Sequence, residues 1–172
     1  MTRSPLTASA GGVVDEVEAL FREHIREVAF GVIDIVDAAR EPGLLTLVAV
    51  TPAMPGIDAA APACIGKAGR RIRLISDVWG ETIGVVEYDP DPIRYVVNAV
   101  SAPVLSVTIT DRVERKLTVV TDIGTPFAHA IGKCGSRARL ASQLTGWRIQ
   151  VCTPLCDENH CTHPGFVSAE PR

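Results

Sequence analysis

Apolar positions along the first half of the chain recur first at helical spacing and then in short strand-like runs. Apolar residues at helical spacing predict an amphipathic helix over about 13–25. Two strands are predicted next, over 31–36 and 44–50, joined by a turn at Arg40-Glu41-Pro42-Gly43. A glycine-containing motif then leads into a helix whose apolar positions are Ile72, Ile75 and Trp79. A glycine ends that helix, and a last strand is predicted over 82–88.

The second half shows the same succession of patterns. An Asp-Pro start signal predicts a helix over 92–100, and strands follow over 104–110 and 116–121. A second glycine motif leads into a helix with Leu140 and Leu144 on one face, and a final strand is predicted over 147–151. The predicted order of elements is therefore α-β-β-α-α-β, twice.

An internal repeat supports this reading directly. Residues 64–86 and 130–152 are identical at 11 of 23 positions without a gap, at a shift of 66 residues. Two copies of one structural unit explain the match most simply. We divide the chain into a flexible N-terminus (1–12), a first module (13–88), a second module (89–152) and a Cys/His-containing tail (153–172). The boundary run Asp89-Pro90-Asp91-Pro92 is short, which predicts closely packed modules.

Composition narrows the class of protein without naming a function. Apolar residues make up 47% of the chain and charged residues 22%, which is typical of a globular protein. The first dozen residues contain no apolar secretory signal, and the longest apolar run, 44–50, is too short to cross a bilayer. We expect a cytoplasmic protein without membrane contact, whose five cysteines are reduced.

The two glycine motifs are the strongest candidates for a functional site. They read Gly66-Lys67-Ala68-Gly69 and Gly132-Lys133-Cys134-Gly135, and each lies between two predicted helices. Glycines let backbone N–H groups approach a phosphate closely, and a helix N-terminus adds positive potential there. The net charge is −3, yet residues 66–73 and 132–139 hold 7 of the 17 basic residues and no acidic one. These basic residues are Lys67, Arg70, Arg71, Arg73, Lys133, Arg137 and Arg139.

This charge pattern predicts a site for single-stranded RNA. KH modules clamp about four nucleotides with a glycine loop of this form. Apolar residues beside the loops (Ile65, Ile72 and Ile131) are predicted to form the floor on which bases lie. The alternative is that the glycines only make tight turns and the arginines are solvated, which would suit one such motif better than two.

Three separated stretches resemble the KH-module region of the NusA family of transcription termination/antitermination factors. They are LFREHIREVAFGVIDIVDAAREPGLLTLVAV (20–50), DPDPIRYVVNAVSAP (89–103) and AIGKCGSRARLASQLTGWRIQV (130–151). The resemblance implies an α+β fold of two tandem prokaryotic-type (type II) KH domains, with helices on one face of each three-stranded sheet. It also implies that extended RNA is bound across both modules during transcription.

The resemblance also bears on partners. Bacterial members normally carry a polymerase-binding domain and an OB-fold domain, for which these 172 residues have no room, whereas short archaeal relatives consist of two KH modules alone. The expected partners are single-stranded RNA and, as a second candidate, the transcription elongation complex. We expect a monomer. A KH protein of ribosome assembly or RNA processing remains the alternative, because its loops would bind RNA alike.

The C-terminal tail offers a different chemistry. Five potential zinc ligands, Cys152, Cys156, His160, Cys161 and His163, fall within 12 residues. Their spacing does not form two close pairs separated by a finger, so we predict no metal and no cofactor, with a metal-binding regulator as the alternative. The sequence shows no nucleophile–base arrangement, Walker loop or paired acidic motif, which argues against an enzyme.

Overall fold

The computed structural model describes residues 11–156, which form two modules with the same order of elements. The first module contains α1 (Gly11–His24), α2 (Arg26–Ala29), β1 (Ile33–Glu41), β2 (Leu45–Pro52), α3 (Ala61–Ile65), α4 (Arg70–Trp79) and β3 (Thr82–Glu87). The second contains α5 (Pro92–Val100), β4 (Val104–Asp111), β5 (Lys116–Thr121), α6 (Thr125–Ile131), α7 (Ser136–Thr145) and β6 (Arg148–Cys152). The predicted order is confirmed, with α2 as a short addition.

Each module has a three-stranded mixed sheet with the middle strand shared by both pairings. In the first sheet β2 pairs antiparallel with β1 and parallel with β3. In the second sheet β5 pairs antiparallel with β4 and parallel with β6. The parallel pairing requires a crossover connection, and α3–α4 and α6–α7 supply it. Each glycine motif lies in the middle of one of these crossovers.

The first strand differs from its prediction. It begins at Ile33 and continues to Glu41, whereas the sequence predicted a strand over 31–36. An irregularity in the pairing between Ile35 and Asp37 interrupts the alternation of side chains. The small residues Ala38 and Ala39 beyond it are buried, and their modest hydrophobicity concealed the second half of the strand.

The first sheet is covered on both faces: the helices of its own module cover one face, as predicted, and the second module covers the other. Successive side chains of a strand point to opposite faces, yet β2 is buried at every position from Leu45 to Val50. Val48 and Val50 belong to a core with Phe21 and Ile75 of the first module. The opposite face joins the core of the second module, with Leu45, Leu47, Ala49, Val96, Leu140 and Leu144 among its members. Close packing of the modules is thereby confirmed.

The corresponding face of the second sheet is polar. When the parallel strand pairs of the two modules are aligned, Leu45 and Leu47 correspond to Lys116 and Thr118, and Gly84 corresponds to Gln150. Lys116, Thr118 and Gln150 are all partly exposed. A lysine, a threonine and a glutamine suit water on this face, whereas the two leucines suit a helix layer. None of the helices within residues 11–156 has both the length and the apolar character needed to cross a membrane.

A carboxylate secures the end of the first module where β1 turns into β2. The Glu81 side chain is only 4% exposed, and Arg40 Nε donates to it at 2.8 Å and Gly43 N at 2.7 Å. The Thr46 hydroxyl also donates to Glu81, and the Arg40 guanidinium lies 4.4 Å from the centroid of the Trp79 ring. Burial raises the pKa of Glu81, but the hydrogen bonds from Thr46 and Arg40 outweigh it, so the pKa is lowered.

Glu81→Gln is expected to lower the free energy of unfolding at pH 7 by about 1–3 kcal/mol, because the arginine loses its charged partner. A carboxyl with a lowered folded-state pKa stabilises above its unfolded pKa of about 4.3, and that stabilisation disappears as pH falls through the folded value. The difference between wild type and variant in urea unfolding should therefore shrink toward pH 3. Glu16→Gln, at an exposed site on α1, is the control. A pH-independent difference would contradict this role.

Candidate nucleic-acid interface

The two glycine loops have the same backbone conformation. The first glycine has φ 73° and ψ 172° at Gly66, and φ 77° and ψ 173° at Gly132. The third residue, Ala68 or Cys134, is left-handed with φ 53°. The last glycine of each loop is also left-handed. Two separate sequences with one unusual backbone shape indicate that the loop conformation itself is what the repeat preserves.

Close packing behind each loop requires its first residue to be glycine. A Cβ on Gly66 would lie 2.7 Å from the Cβ of Arg71, and a Cβ on Gly132 would lie 2.7 Å from the Cβ of Arg137. Both distances are shorter than van der Waals contact, and the positive φ adds strain for any other residue. Each loop therefore sits directly against the first turn of the following helix.

The N-termini of the following helices lack a side-chain cap, because the N-cap positions of α4 and α7 are Gly69 and Gly135. The Arg70 and Ser136 amides donate to the Lys67 and Lys133 carbonyls. The remaining N–H groups of a first helical turn favour an anion. Lys67, Arg70 and Lys133 are exposed around these ends, whereas Ser136, at the position matching Arg70, is buried. The first loop consequently presents more positive charge than the second.

Arg71 and Arg137, at matching positions, contact the protein behind their loops. Arg71 Nη1 donates to the Ala63 carbonyl at 2.6 Å and pairs with Glu27 at 3.1 Å. Arg137 Nη1 lies 3.4 Å from the Ala99 carbonyl, and burial lowers the pKa of Arg137. Its guanidinium lies beside Gly84 of the first sheet, and a Cβ on Gly84 would lie 3.6 Å from Arg137 Nη2. Both arginines fix the loops to the body of the protein.

Arg73 and Arg139 donate to the carbonyls of their own loops. Arg73 donates to the Ala68 carbonyl, and Arg139 Nη1 donates to the Cys134 carbonyl at 2.7 Å. Arg139 also pairs with Glu41 of the first module, with Nη2 and Oε1 2.6 Å apart. The second loop is thereby connected to the β1–β2 turn of the other module.

Of the seven basic residues, Lys67, Arg70 and Lys133 are exposed around the helix ends, and the other four contact groups of the protein, although Arg73 among them is also exposed. Sequence reasoning did not identify Glu27, Glu41 or Gly84, which complete these contacts. Gly84 carried a signal, because the repeat has Gln150 at the same strand position. The proposed base floor, Ile65, Ile72 and Ile131, is half-buried beside the loops.

The Cys/His tail extends past the residues that the structure describes. Cys152 is buried and Cys156 is half-buried, with Cys156 Sγ 3.4 Å from the amide nitrogen of Thr153. His160, Cys161 and His163 lie outside residues 11–156. Within that range no group of three potential metal ligands comes together. The predicted absence of zinc therefore stays a prediction.

Comparisons with known proteins place both modules in one family. Residues 13–88 match the model of a NusA-like first KH domain, and residues 92–155 match that of a NusA-like second KH domain. The transcription termination/antitermination protein NusA of Mycobacterium tuberculosis H37Rv is 41% identical over 151 residues, which is 87% of this chain and 43% of that protein. NusA of Bacillus subtilis strain 168 is 34% identical over 137 residues, covering 78% of this chain and 36% of that protein.

A solved chain described as the crystal structure of APE1850 has a similar fold. It aligns with a TM-score of 0.55 at 22% identity, covering 86% of this chain and 99% of that chain. The alignment supports the two-module architecture alone. This chain spans less than half the length of the curated relatives it matches. The family resemblance and the fold read from the sequence are both confirmed.

Proposed function

Because this chain belongs to the NusA family of tandem KH-domain proteins, we propose that it binds single-stranded RNA through both glycine loops and acts in transcription termination or antitermination. The observation that carries the proposal is the shared loop conformation, with an uncapped helix N-terminus and a lysine at each loop. Such a loop offers backbone N–H groups and a cation to phosphates in the same place.

The basic residues divide between those that contact RNA and those that hold the loops. Lys67, Arg70 and Lys133, together with the amides of both loops, contact phosphates. Arg71, Arg73, Arg137 and Arg139 hold the loops in shape and act on RNA through them. Bases lie on the half-buried isoleucines. The protein works as a cytoplasmic monomer without a catalytic step, and the transcription elongation complex is its larger partner.

Binding of labelled single-stranded RNA to the purified chain, followed by fluorescence anisotropy, tests the first part of the proposal. We expect tighter binding to a single strand than to the same sequence as a duplex. With three phosphate-binding side chains, log affinity should fall with log salt at a slope of about −2. An RNA affinity that does not depend on salt concentration, or that is higher for the duplex, would contradict the proposed interface.

The cellular role needs a separate measurement. Addition of the chain to an in vitro transcription reaction with the host polymerase should change the fraction of transcripts that end at an intrinsic terminator. A charge-reversed double-loop variant serves as the control. An RNA-binding protein that leaves termination and pausing unchanged would fit a role outside transcription.

A further inference from the structure

A groove of about 350 Å³ lies beside the first glycine loop, between the C-terminal end of α1 and helix α4. Six residues line it: His24, Gly66, Lys67, Arg70, Arg71 and Leu74. Its volume is at the lower end of the range of about 300–1,000 Å³ that small-molecule sites occupy, which suits one nucleotide. The groove shares Gly66, Lys67 and Arg70 with the loop, so a strand leaving the loop can enter it directly.

The lining is positive at the loop end and apolar further along α4. Lys67 and Arg70 are exposed, and Arg71 pairs with Glu27 through Nη1. His24 Nδ1 lies 2.9 Å from the Leu20 carbonyl, so this nitrogen carries the hydrogen and Nε2 remains for another partner. Leu74 is 55% exposed. A groove with a cationic end and an apolar wall suits a nucleotide, whose phosphate would contact the cations and whose base would contact the wall.

Within residues 11–156, the matching helix face of the second module is covered rather than open. Leu140 and Leu144 of α7 match Leu74 and Val78 of α4, but they are buried against the first sheet. Leu74 and Val78 are 55% and 60% exposed. Arg70 is matched by Ser136, which is buried. The same helix face thus makes the contact between the modules in one repeat and stays open beside a basic loop in the other.

We propose that this groove binds the RNA nucleotide next to those clamped by the first loop, with its phosphate on Arg70 and its base against Leu74. The proposal rests on RNA binding by the loops and adds a subsite built by residues of the first module. His24 Nε2 supplies a polar contact at the groove's α1 side. The first module therefore holds one nucleotide more than the second.

Leu74→Asp tests the subsite, because it places a carboxylate in the groove at an exposed position that does not contribute to the core. The affinity for a ten-nucleotide RNA should fall about tenfold, which is typical of losing one base contact. Val78→Asp, one turn further along the same exposed face and outside the groove, is the matched control and should stay within about twofold of wild type. Circular dichroism checks the fold, and Leu74→Ser replaces Leu74→Asp if that variant unfolds.

A second readout uses the wild-type protein. The ring signals of His24 in NMR spectra should shift when the ten-nucleotide RNA is added, and this shift should be lost in Leu74→Asp. Wild-type affinity in Leu74→Asp, together with loss of binding in a loop variant, would overturn the groove while RNA binding by the loops stands. Unchanged RNA affinity with loss of a bound protein partner would also overturn it, because the groove would then be a protein-docking surface. No RNA binding by wild type would remove both proposals.

Discussion

The combined variant Lys67→Asp, Ala68→Asp, Lys133→Asp and Cys134→Asp is expected to lose single-stranded RNA binding about a thousandfold while its fold and melting temperature stay nearly unchanged. A central interface contact is worth about 2 kcal/mol or more, and losing one at each loop gives about 4 kcal/mol, which is a factor of about a thousand. The carboxylates would stand where phosphates bind, and the like charges add repulsion.

The fold should tolerate these changes because of where the four residues lie. All four are exposed, and Ala68 and Cys134 have φ 53°. Aspartate accepts this left-handed conformation better than most residues. None of the four loop glycines is altered, so the close contact of each loop with the following helix is kept.

A control matched in charge separates local contact from general repulsion. Arg94→Asp, Arg112→Asp and Arg115→Asp change the net charge by the same amount at exposed sites on α5 and between β4 and β5, outside both loop segments. This triple variant should bind RNA within about tenfold of wild type, because screened charges more than about 10 Å apart interact weakly at 0.1 M salt. Retention of RNA binding by the four-residue loop variant would remove the central claim.

The sequence predicted those parts of the structure that depend on local patterns. The spacing of apolar residues predicted the order of elements, and Asp91-Pro92 predicted the start of α5, where the Asp91 carboxylate accepts a hydrogen bond from the amide of Ile93. The glycine motifs predicted the loops because a positive φ between two helices strongly favours glycine. These features depend on a few consecutive residues, and the printed sequence contains all of them.

The sequence could not predict contacts between residues that lie far apart along the chain. Leu47 and Val48 are both apolar, but one faces the second module and the other faces the first module's own helices. Arg70 and Arg71 are equally basic, yet only the tertiary fold brings Glu27 to Arg71. Composition at a loop can predict positive charge there. It cannot say which cations already have partners.

A rigid connection between the modules leads to the second large effect, a dependence of affinity on RNA length. Leu45 and Leu47 of the first sheet are buried in the core of the second module, and Arg139 links the second loop to Glu41 at 2.6 Å. Loops held in a fixed relation present the second site at high effective concentration once the first is occupied.

An RNA of about ten unpaired nucleotides should consequently bind about a hundredfold more tightly than one of about five, at the same salt, since each module clamps about four nucleotides. Lys133→Asp with Cys134→Asp should remove most of this advantage and leave binding of the short RNA intact. Glu41→Gln should reduce the advantage while keeping both loops, because Arg139 loses its charged partner in the first module. Equal affinity of wild type for both lengths would mean that one loop alone is engaged, and binding of a continuous strand by both modules would have to be abandoned.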